Sequence, residues 1–296
     1  MNPDIWINGK FIPWNQATIH PFCHSLQRGA TIFESLDCNE ADTGRAAIFR
    51  LRDHIHRFEI SAEIIGIHLP YSPSVIEKAV IDTVARSGLK KCCIRPLAFY
   101  ADPSMDLYPG NLPVSVMIGV GEFHPSSDML KATIGRLRKI DSSCMPVKAK
   151  VSGNYITPLL AKSEAIKAGY DDAILLDHDG YIAEASTANI FIVEKGKLVT
   201  SPDDTVLLGV TRDSIIVLSK KLGIEVSLER YGTDRLFAAD EVILCSSGNM
   251  LKPIIQVDNH IIGNGGTGPV IARLRDFYSD VVVGKVSEFE HWLTYV

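Results

Sequence analysis

A lysine, a tyrosine, a glutamate and a glycine-containing turn follow one another in this chain in an order that suggests cofactor chemistry. Lys150 precedes Tyr155, Glu184 comes later, and Gly209-Val210-Thr211 stands before an apolar helical pattern. A lysine amine can form an imine with an aldehyde, while hydroxyl and carboxylate groups can hydrogen-bond a pyridine ring. A helix start binds phosphate through its amides. Together these residues predict a site for pyridoxal phosphate.

The lysine of this pattern has a near neighbour, Lys148. Residues two apart on a strand face the same side, so each lysine would then lie beside the charge of the other. A neighbouring cation favours the neutral, nucleophilic form of an amine. Both residues are also compatible with ordinary exposed lysines, the usual environment of this side chain.

Tyr155 and Glu184 are predicted to contact opposite ends of the cofactor ring. The Tyr155 hydroxyl can hydrogen-bond the phenolate oxygen. A carboxylate such as that of Glu184 keeps the pyridine nitrogen protonated, so that the ring acts as an electron sink. Taken singly, Tyr155 is equally consistent with a half-buried core residue and Glu184 with a solvent-exposed strand end.

Two small-residue turns and one arginine are candidates for binding the phosphate. The run Gly209-Val210-Thr211 puts a glycine, which lets the backbone approach a ligand, before a helix whose first amides favour an anion. Thr211 is also a good N-cap, which is the simpler interpretation. Ser247-Gly248 could bind the phosphate or a substrate carboxylate through backbone amides. Arg57, on an amphipathic helical pattern, could supply a fixed cation, or could be a solvated surface residue.

Arg95 and Arg28 are candidates for binding a substrate carboxylate, and Phe33 and Gly248 are predicted to line the same pocket. Arg95 stands in an apolar strand pattern, where a charge needs a partner. Arg28 precedes the run 29–34, which contains Phe33. Each arginine could equally belong to a structural ion pair.

The composition indicates a globular protein whose partners are neither nucleic acid nor membrane. The net charge is -5, with 46% hydrophobic and 22% charged residues, which argues against nucleic acid or an anionic membrane as the main partner. No apolar run approaches the ~20 residues that span a bilayer, and no secretory signal is visible. The six cysteines show no C-x-x-C pair and no zinc-ligand spacing, so we expect reduced thiols, no metal and a cytoplasmic location. The basic run 136–139 is interpreted as a solvated strand end or linker.

Hydrophobic spacing and turn signals predict the elements that must position these residues. Asn8-Gly9 predicts a hairpin, apolar spacing predicts a helix over 51–65, and Ser74 with Glu77 predicts a capping box for a helix that Gly88 ends. Further strands are predicted at 94–100, 114–120, 132–137, 173–176, 181–183, 190–193 and 241–245, and helices at 157–168 and 211–222. The mixture predicts an α+β fold with two domains, 1–121 and 131–296, joined by a loop at 122–130.

These motifs resemble those of the class IV (fold type IV) pyridoxal-phosphate aminotransferases, which include branched-chain aminotransferases, D-amino-acid transaminases and aminodeoxychorismate lyases. The resemblance covers nearly the whole chain. It rests on the segments 52–58 (RDHIHRF), 150–155 (KVSGNY), 179–184 (DGYIAE), 208–212 (LGVTR) and 247–248 (SG). It assigns Arg57, Val210, Thr211 and Ser247 to the phosphate, and it selects Lys150 over Lys148.

The resemblance implies a small N-terminal α/β domain, a larger C-terminal domain, a cofactor in the cleft and a homodimer. The implied reaction moves an amino group between an amino acid, with branched-chain L-amino acids favoured, and a 2-oxo acid such as 2-oxoglutarate. A D-amino-acid or (R)-amine transaminase and a lyase that releases pyruvate share these motifs. A cofactor-binding protein without activity is a further alternative.

The chain departs from the branched-chain pattern where substrate would bind. Arg28 and Cys93 stand where tyrosines are common, and Asp37 stands where an arginine is often found. The turn 247–249 replaces a Thr-Ala-Ala-like turn. Two hydroxyls are lost and one charge is inverted, which leaves the amino donor and its handedness open.

Overall fold

The computed structural model describes residues 3–122, 127–248 and 250–296. Its first half contains β1 (Ile5–Ile7), β2 (Lys10–Ile12), α1 (His24–Arg28), β3 (Ile32–Phe33), β4 (Leu36–Glu40), β5 (Ala46–Phe49), α2 (Leu51–Ile64), α3 (Pro73–Ser87), β6 (Cys92–Tyr100), β7 (Val114–Gly121) and β8 (Leu130–Ile134). Its second half contains α4 (Ile156–Lys167), β9 (Asp172–Leu176), β10 (Ile182–Ala185), β11 (Asn189–Glu194), β12 (Lys197–Thr200), α5 (Val210–Lys221), β13 (Val226–Leu228), α6 (Thr233–Ala238), β14 (Glu241–Ser246), β15 (Met250–Val257), β16 (His260–Ile261), α7 (Pro269–Val282) and β17 (Leu293–Tyr295). Short 3-10 helices lie at Trp14–Gln16, Ser152–Tyr155 and Ser287–Trp292.

The chain forms two compact units that are not contiguous in sequence. Unit 1 takes its described residues from 3–122, 149–153 and 280–296, and unit 2 from 127–148, 154–248 and 250–279. The short return at 149–153 contains Lys150. The sequence analysis predicted neither this return nor the one at the C-terminus, and the boundaries 1–121 and 131–296 stay a prediction. Residues 123–126 of the predicted loop 122–130, and Asn249 of the turn 247–249, lie outside the described residues.

The sheet of unit 1 has two chemically different faces. Its order over the described residues is β17-β5-β4-β6-β7-β1-β2, all antiparallel, with β3 also paired to β6. Alternate residues such as Leu36 and Ile94 are fully buried in one core with Ile55 and Phe58 of α2. Because side chains alternate across a strand, Phe33, Asp37 and Arg95 lie on the opposite face.

The sheet of unit 2 is mixed. Its order is β10-β9-β8-β15-β14-β11-β12-β13, with β16 paired to β15. β8 is parallel to β9 and β15, and β12 is parallel to β13. Strands β9, β11 and β14 are buried along nearly their whole length, because both faces of these strands are covered. In the described part of the chain, no helix combines the length and apolarity needed to cross a bilayer.

Most predicted elements are present, but several local interpretations are wrong. The capping box is absent, because Ser72 rather than Ser74 occupies the N-cap of α3 and Pro73 begins the helix. Gly209, not Thr211, is the N-cap of α5. Glu184 lies within β10 rather than after it. Lys148 lies in a turn, so it does not share a strand face with Lys150.

Candidate active site

Lys150 is held by its backbone in unit 1. Its N–H donates to the hydroxyl of Ser61 on α2 at 3.0 Å, and its carbonyl accepts from the N–H of Phe33 at 3.0 Å. The side chain is half-buried, with Nζ 4.8 Å from the centre of the Phe33 ring. Lys148, in contrast, is exposed. The amine at position 150 is therefore the one set against an aromatic face by fixed neighbours.

Ser61 connects this lysine to Arg57 and was missed by the sequence analysis. Its hydroxyl donates to the carbonyl of Arg57, one turn earlier on α2, at 2.8 Å, and accepts from Lys150. Ser61 is fully buried. A serine four residues after Arg57 on the apolar face of a helix is the signal that could have identified it.

Arg57 is not the solvated residue that one interpretation allowed, because it is buried and paired with Glu34. Its Nε donates to one Glu34 oxygen at 2.7 Å and its Nη2 to the other at 2.8 Å. His54 Nδ1 also donates to Glu34 at 2.8 Å. Such a bidentate pair fixes the plane of a guanidinium. Glu34, within the apolar run 32–36, is a second positioning residue that sequence reasoning missed.

The charges of this cluster control its protonation. Burial alone would raise the pKa of Glu34, but the Arg57 guanidinium and the His54 hydrogen bond outweigh burial and hold this pKa far below its usual range. Burial lowers the pKa of His54, against the opposing effect of Glu34. Glu34 is therefore ionised and His54 neutral at pH 7, which leaves one fixed positive charge on Arg57 balanced by one carboxylate.

Glycines allow the segment after Lys150 to pack against the end of α1. The N–H of Gly153 donates to the carbonyl of Gly29 at 2.9 Å, and the N–H of Ser152 donates to Thr31 at 2.8 Å. Gly29 has φ +66, and a Cβ there would lie 3.2 Å from the Gly153 Cα. This close approach explains the glycine at position 29 and places Arg28 beside the KVSGNY segment.

The two substrate arginines have different surroundings. Arg95 is exposed, and its guanidinium lies 5.3 Å from the centre of the Phe33 ring, so Phe33 contacts the cations of both Arg95 and Lys150. Across the described residues Arg95 has no carboxylate partner, contrary to the ion-pair alternative. Arg28 is exposed and donates to the carbonyl of Met105 at 2.8 Å. Arg95 therefore has a cation available for an anionic ligand.

In unit 2, both oxygens of Glu184 are hydrogen-bonded. One oxygen pairs closely with Lys139 Nζ. The other accepts from Asn189 Nδ2 at 3.1 Å and from the N–H of Leu207 at 3.2 Å. The interpretation of 136–139 as a solvated run is therefore wrong for Lys139, whose side chain is 11% exposed. Three donors hold the side chain of Glu184 in one orientation.

Asn189 also explains the glycine of the phosphate turn. A Cβ at Gly209 would clash with Asn189 Oδ1. Gly209 is therefore required by the protein's own packing, in addition to any approach of a ligand. Val210 and Thr211 form the first turn of α5 and are buried. The amide end of this helix is thus fixed through Asn189 to the carboxylate of Glu184.

Two of the remaining predicted residues follow β14, at the end of the unit 2 sheet where Asn189 lies. The third lies at the start of α4. Ser247 and Gly248 form the turn after β14, whose Cys245 pairs with Asn189 across the strands. Ser247 is half-buried and Gly248 exposed. Tyr155 ends the Ser152–Tyr155 helix, is the N-cap of α4 and is half-buried. These positions fit the predicted roles but do not test them.

The chain is similar over its whole length to known enzymes. The model of the family described as amino-transferase class IV matches residues 31–257. The branched-chain-amino-acid aminotransferase of Pseudomonas aeruginosa is 34% identical over 298 residues, covering 99% of this chain and 97% of that protein.

Solved structures of branched-chain aminotransferases are also similar to this chain. The T.th. branched-chain amino acid aminotransferase, complexed with N-(5'-phosphopyridoxyl)-L-glutamate, has a TM-score of 0.95 and 37% identity, covering 99% of this chain and 98% of that chain. The branched-chain aminotransferase of Thermoproteus uzoniensis with norvaline has a TM-score of 0.96 and 33% identity, covering 100% of this chain and 99% of that chain.

The two-unit α+β fold is that of the fold type IV aminotransferases. The chain belongs to the class IV aminotransferases, which depend on pyridoxal phosphate.

Proposed function

We propose that this enzyme transfers the amino group of a branched-chain L-amino acid to a 2-oxo acid such as 2-oxoglutarate, with pyridoxal phosphate as cofactor. The observation that carries the proposal is the similarity, over nearly the full length, to enzymes named for that activity. Because the six cysteines are free thiols, we also propose a cytoplasmic location, where thiols stay reduced.

The residues fit this cofactor in the chemistry of their donors. We assign the phosphate to Arg57, to the first turn of α5 at Val210 and Thr211, and to Ser247. We assign the pyridine nitrogen to Glu184 and the phenolate oxygen to Tyr155. When bound, the cofactor supplies an electron sink for negative charge at the substrate α-carbon. The side chain of Glu184, oriented by Lys139 and two N–H donors, suits a partner for the ring nitrogen.

Lys150 carries the proton in this proposal. Its Nζ would hold the cofactor through the aldehyde group, and once displaced by the substrate it would accept the proton that leaves the substrate α-carbon and return it as an acid. Anchoring of the Lys150 backbone by Ser61 and Phe33 leaves the motion to the side chain alone. The same amine can therefore serve as both base and acid without movement of the backbone.

Arg95 binds the carboxylate of the substrate in this proposal, for example the distal carboxylate of glutamate. The support is its exposed guanidinium, which has the Phe33 ring on one side. Phe33 and Gly248 are further candidates for contacting the substrate, and Arg28 is a second candidate for a carboxylate. Asp37 and Cys93 lie opposite each other on the same sheet face.

A steady-state assay tests the reaction. We expect turnover of L-leucine with 2-oxoglutarate, and none of D-alanine. Turnover of D-alanine but not of L-leucine would instead assign a D-amino-acid transaminase. Release of pyruvate from aminodeoxychorismate without any acceptor would assign a lyase.

We further propose that the enzyme is a homodimer. On α4, Ile156, Leu159 and Leu160 are 58%, 60% and 49% exposed. Residues three and four apart share a helix face, so this is one apolar stripe. Light scattering after gel filtration should give twice the mass of the 32.5 kDa chain, and Leu159→Glu should shift it toward monomer. A wild-type monomer at micromolar concentration would contradict the proposal.

A further inference from the structure

Two strands of the unit 1 sheet place a pair of cysteines directly opposite each other. Cys38 in β4 lies directly opposite Cys92 in β6 in this antiparallel pair of strands. Opposite residues in such a pair have Cα atoms roughly 4.5–5.5 Å apart. That separation falls within the range of about 4.4–6.8 Å that a disulfide spans without backbone movement. Neither residue takes part in the proposed reaction.

The environments of the two sulfurs differ. The thiol of Cys38 can donate to the carbonyl oxygen of Lys90, which lies 3.7 Å from its sulfur. The neighbouring Cys92 side chain lowers the pKa of Cys38 despite burial, while Cys38 raises the pKa of Cys92. Cys38 therefore loses its proton more readily than Cys92, and its thiolate is the nucleophilic form.

Both cysteines are shielded from solvent. They are 0% exposed, on the face that packs with Leu36, Ile48 and Ile94. Their strands lie inside the sheet, with β5 and β7 on either side. An oxidant reaches them only through local opening of the strands, and a reductant meets the same barrier. Reaction of the pair is therefore slow, and its product is long-lived.

We propose that Cys38 and Cys92 form a cross-strand disulfide when the enzyme meets a small hydroperoxide. The Cys38 thiolate attacks one oxygen of hydrogen peroxide, the O–O bond breaks, and a sulfenic acid and hydroxide form. The Cys92 sulfur then attacks the Cys38 sulfur and displaces its hydroxyl group. The thiol proton leaves with that group as water. The hydroxide takes up the proton that the Cys38 thiol lost on ionising, so the two thiols lose two electrons in total and one peroxide is reduced to two waters.

The bond would cross-link the strands that carry Asp37 and Arg95 on their other face. It would close a chain loop from 38 to 92, which reduces the conformational freedom of the unfolded state. We therefore expect the oxidised protein to melt several degrees higher than the reduced protein. Unit 1, which contains both cysteines, is the part that gains this restraint.

The experiment uses the full-length holoenzyme. N-ethylmaleimide first blocks the accessible thiols of Cys93 and Cys144 in the native state. Hydrogen peroxide is then added for hours and removed with catalase, and the protein is analysed by mass spectrometry and thermal melting. We expect a mass loss of two hydrogens, a cross-linked peptide joining Cys38 to Cys92, and a higher Tm that dithiothreitol reverses. No mass loss, or a link that involves any other cysteine, would overturn the proposal.

Matched variants separate the pair from the other buried thiols. Cys92→Ala should abolish the mass loss and the rise in Tm completely. Cys245→Ala, which removes a buried thiol of unit 2, should leave both unchanged. A rise in Tm that persists in Cys92→Ala would reject the cross-link. Should Cys92→Ala fail to fold, the peptide map of the wild-type protein decides alone.

Discussion

At the scale of single residues, Asp37 is the least expected feature of the sheet face that bears Arg95 and Phe33. It is 5% exposed, and its Oδ1 has no hydrogen-bond partner among the described residues. Burial raises its pKa well above the usual range, with a smaller contribution from Cys38. The folded state therefore holds this proton more tightly than the unfolded state does.

Asp37→Asn should stabilise the enzyme at neutral pH. Because the pKa of Asp37 is higher in the folded state than in the unfolded state, protonation of Asp37 stabilises the folded enzyme. This stabilisation is complete only below the unfolded pKa of about 4, and it is lost as the pH rises through the folded pKa. Between these two pKa values we expect the free energy of unfolding of the wild type to fall by up to about 1.4 kcal/mol per pH unit relative to that of Asp37→Asn. Urea unfolding from pH 3 to 8 measures it. Parallel stability curves for the two proteins would show that Asp37 ionises normally.

Arg95→Ala should raise KM for dicarboxylic substrates by roughly tenfold or more, because a charge-assisted hydrogen bond is lost. KM for L-leucine should change far less. Steady-state kinetics with glutamate and with leucine make the comparison. An equal effect on both substrates would remove the proposed role of Arg95.

The sequence identified the residues that could do chemistry better than those that hold them. Lys150, Arg57 and Glu184 are recognisable because their motifs have distinctive residue types and order. Ser61 and Glu34 are not, because their partners lie far away in sequence. The role of a serine on a helix, or of a glutamate in an apolar strand, can be recognised only when the fold shows which donor or acceptor it contacts.

At the scale of elements, Asn189 in β11 contacts both Glu184 in β10 and Gly209 at the start of α5. These contacts fix the positions of the predicted site residues of unit 2. Gly209→Ala would force a methyl group against Asn189 Oδ1. We expect a loss of about 1–3 kcal/mol in the free energy of unfolding, the usual cost of overpacking. Gly121→Ala is the matched control, because a Cβ there meets no atom within 4 Å. Similar stabilities of the two variants in urea would contradict this packing account.

Lys139→Met tests the other partner of Glu184. It keeps an apolar stem but leaves a nearly buried carboxylate without its cation, so we expect a loss of about 2–3 kcal/mol. Lys139→Arg should retain most of the stability. Lys78→Met, which breaks an exposed pair with Asp82, should cost under about 1 kcal/mol. Denaturant titration ranks the variants, and equal costs for Lys139→Met and Lys78→Met would refute a specific role for Lys139.

Local patterns predicted the helices α2, α3, α4 and α5 and the buried strands β6, β9, β11 and β14, since their hydrophobic period and glycine ends are strong signals. They missed the long helix α7 and the strands β4, β5, β12 and β15. They misplaced caps and short strands. Ser72 competes with Ser74 for the N-cap of α3, and Pro73 decides it by fitting the first helical position. The two-residue strand β3 exists because it pairs with β6, which a local window does not contain.

At the scale of the whole molecule, the fold depends on returns of the chain that composition does not reveal. Residues 149–153 and 280–296 join unit 1, far from its other residues in sequence. There β17 pairs with β5, and Ser61 meets Lys150. Such long-range pairing explains why the α+β class was predictable while the path of the chain was not.

The most direct test of the proposed site is borohydride reduction of the holoenzyme followed by peptide mass spectrometry. The proposed chemistry predicts a phosphopyridoxyl group on the Nζ of Lys150, with Lys148 unmodified in the same digest. Loss of the adduct in Lys150→Ala, but not in Lys148→Ala, should accompany it. An adduct on Lys148, or none on either lysine in a cofactor-replete sample, would contradict the assignment.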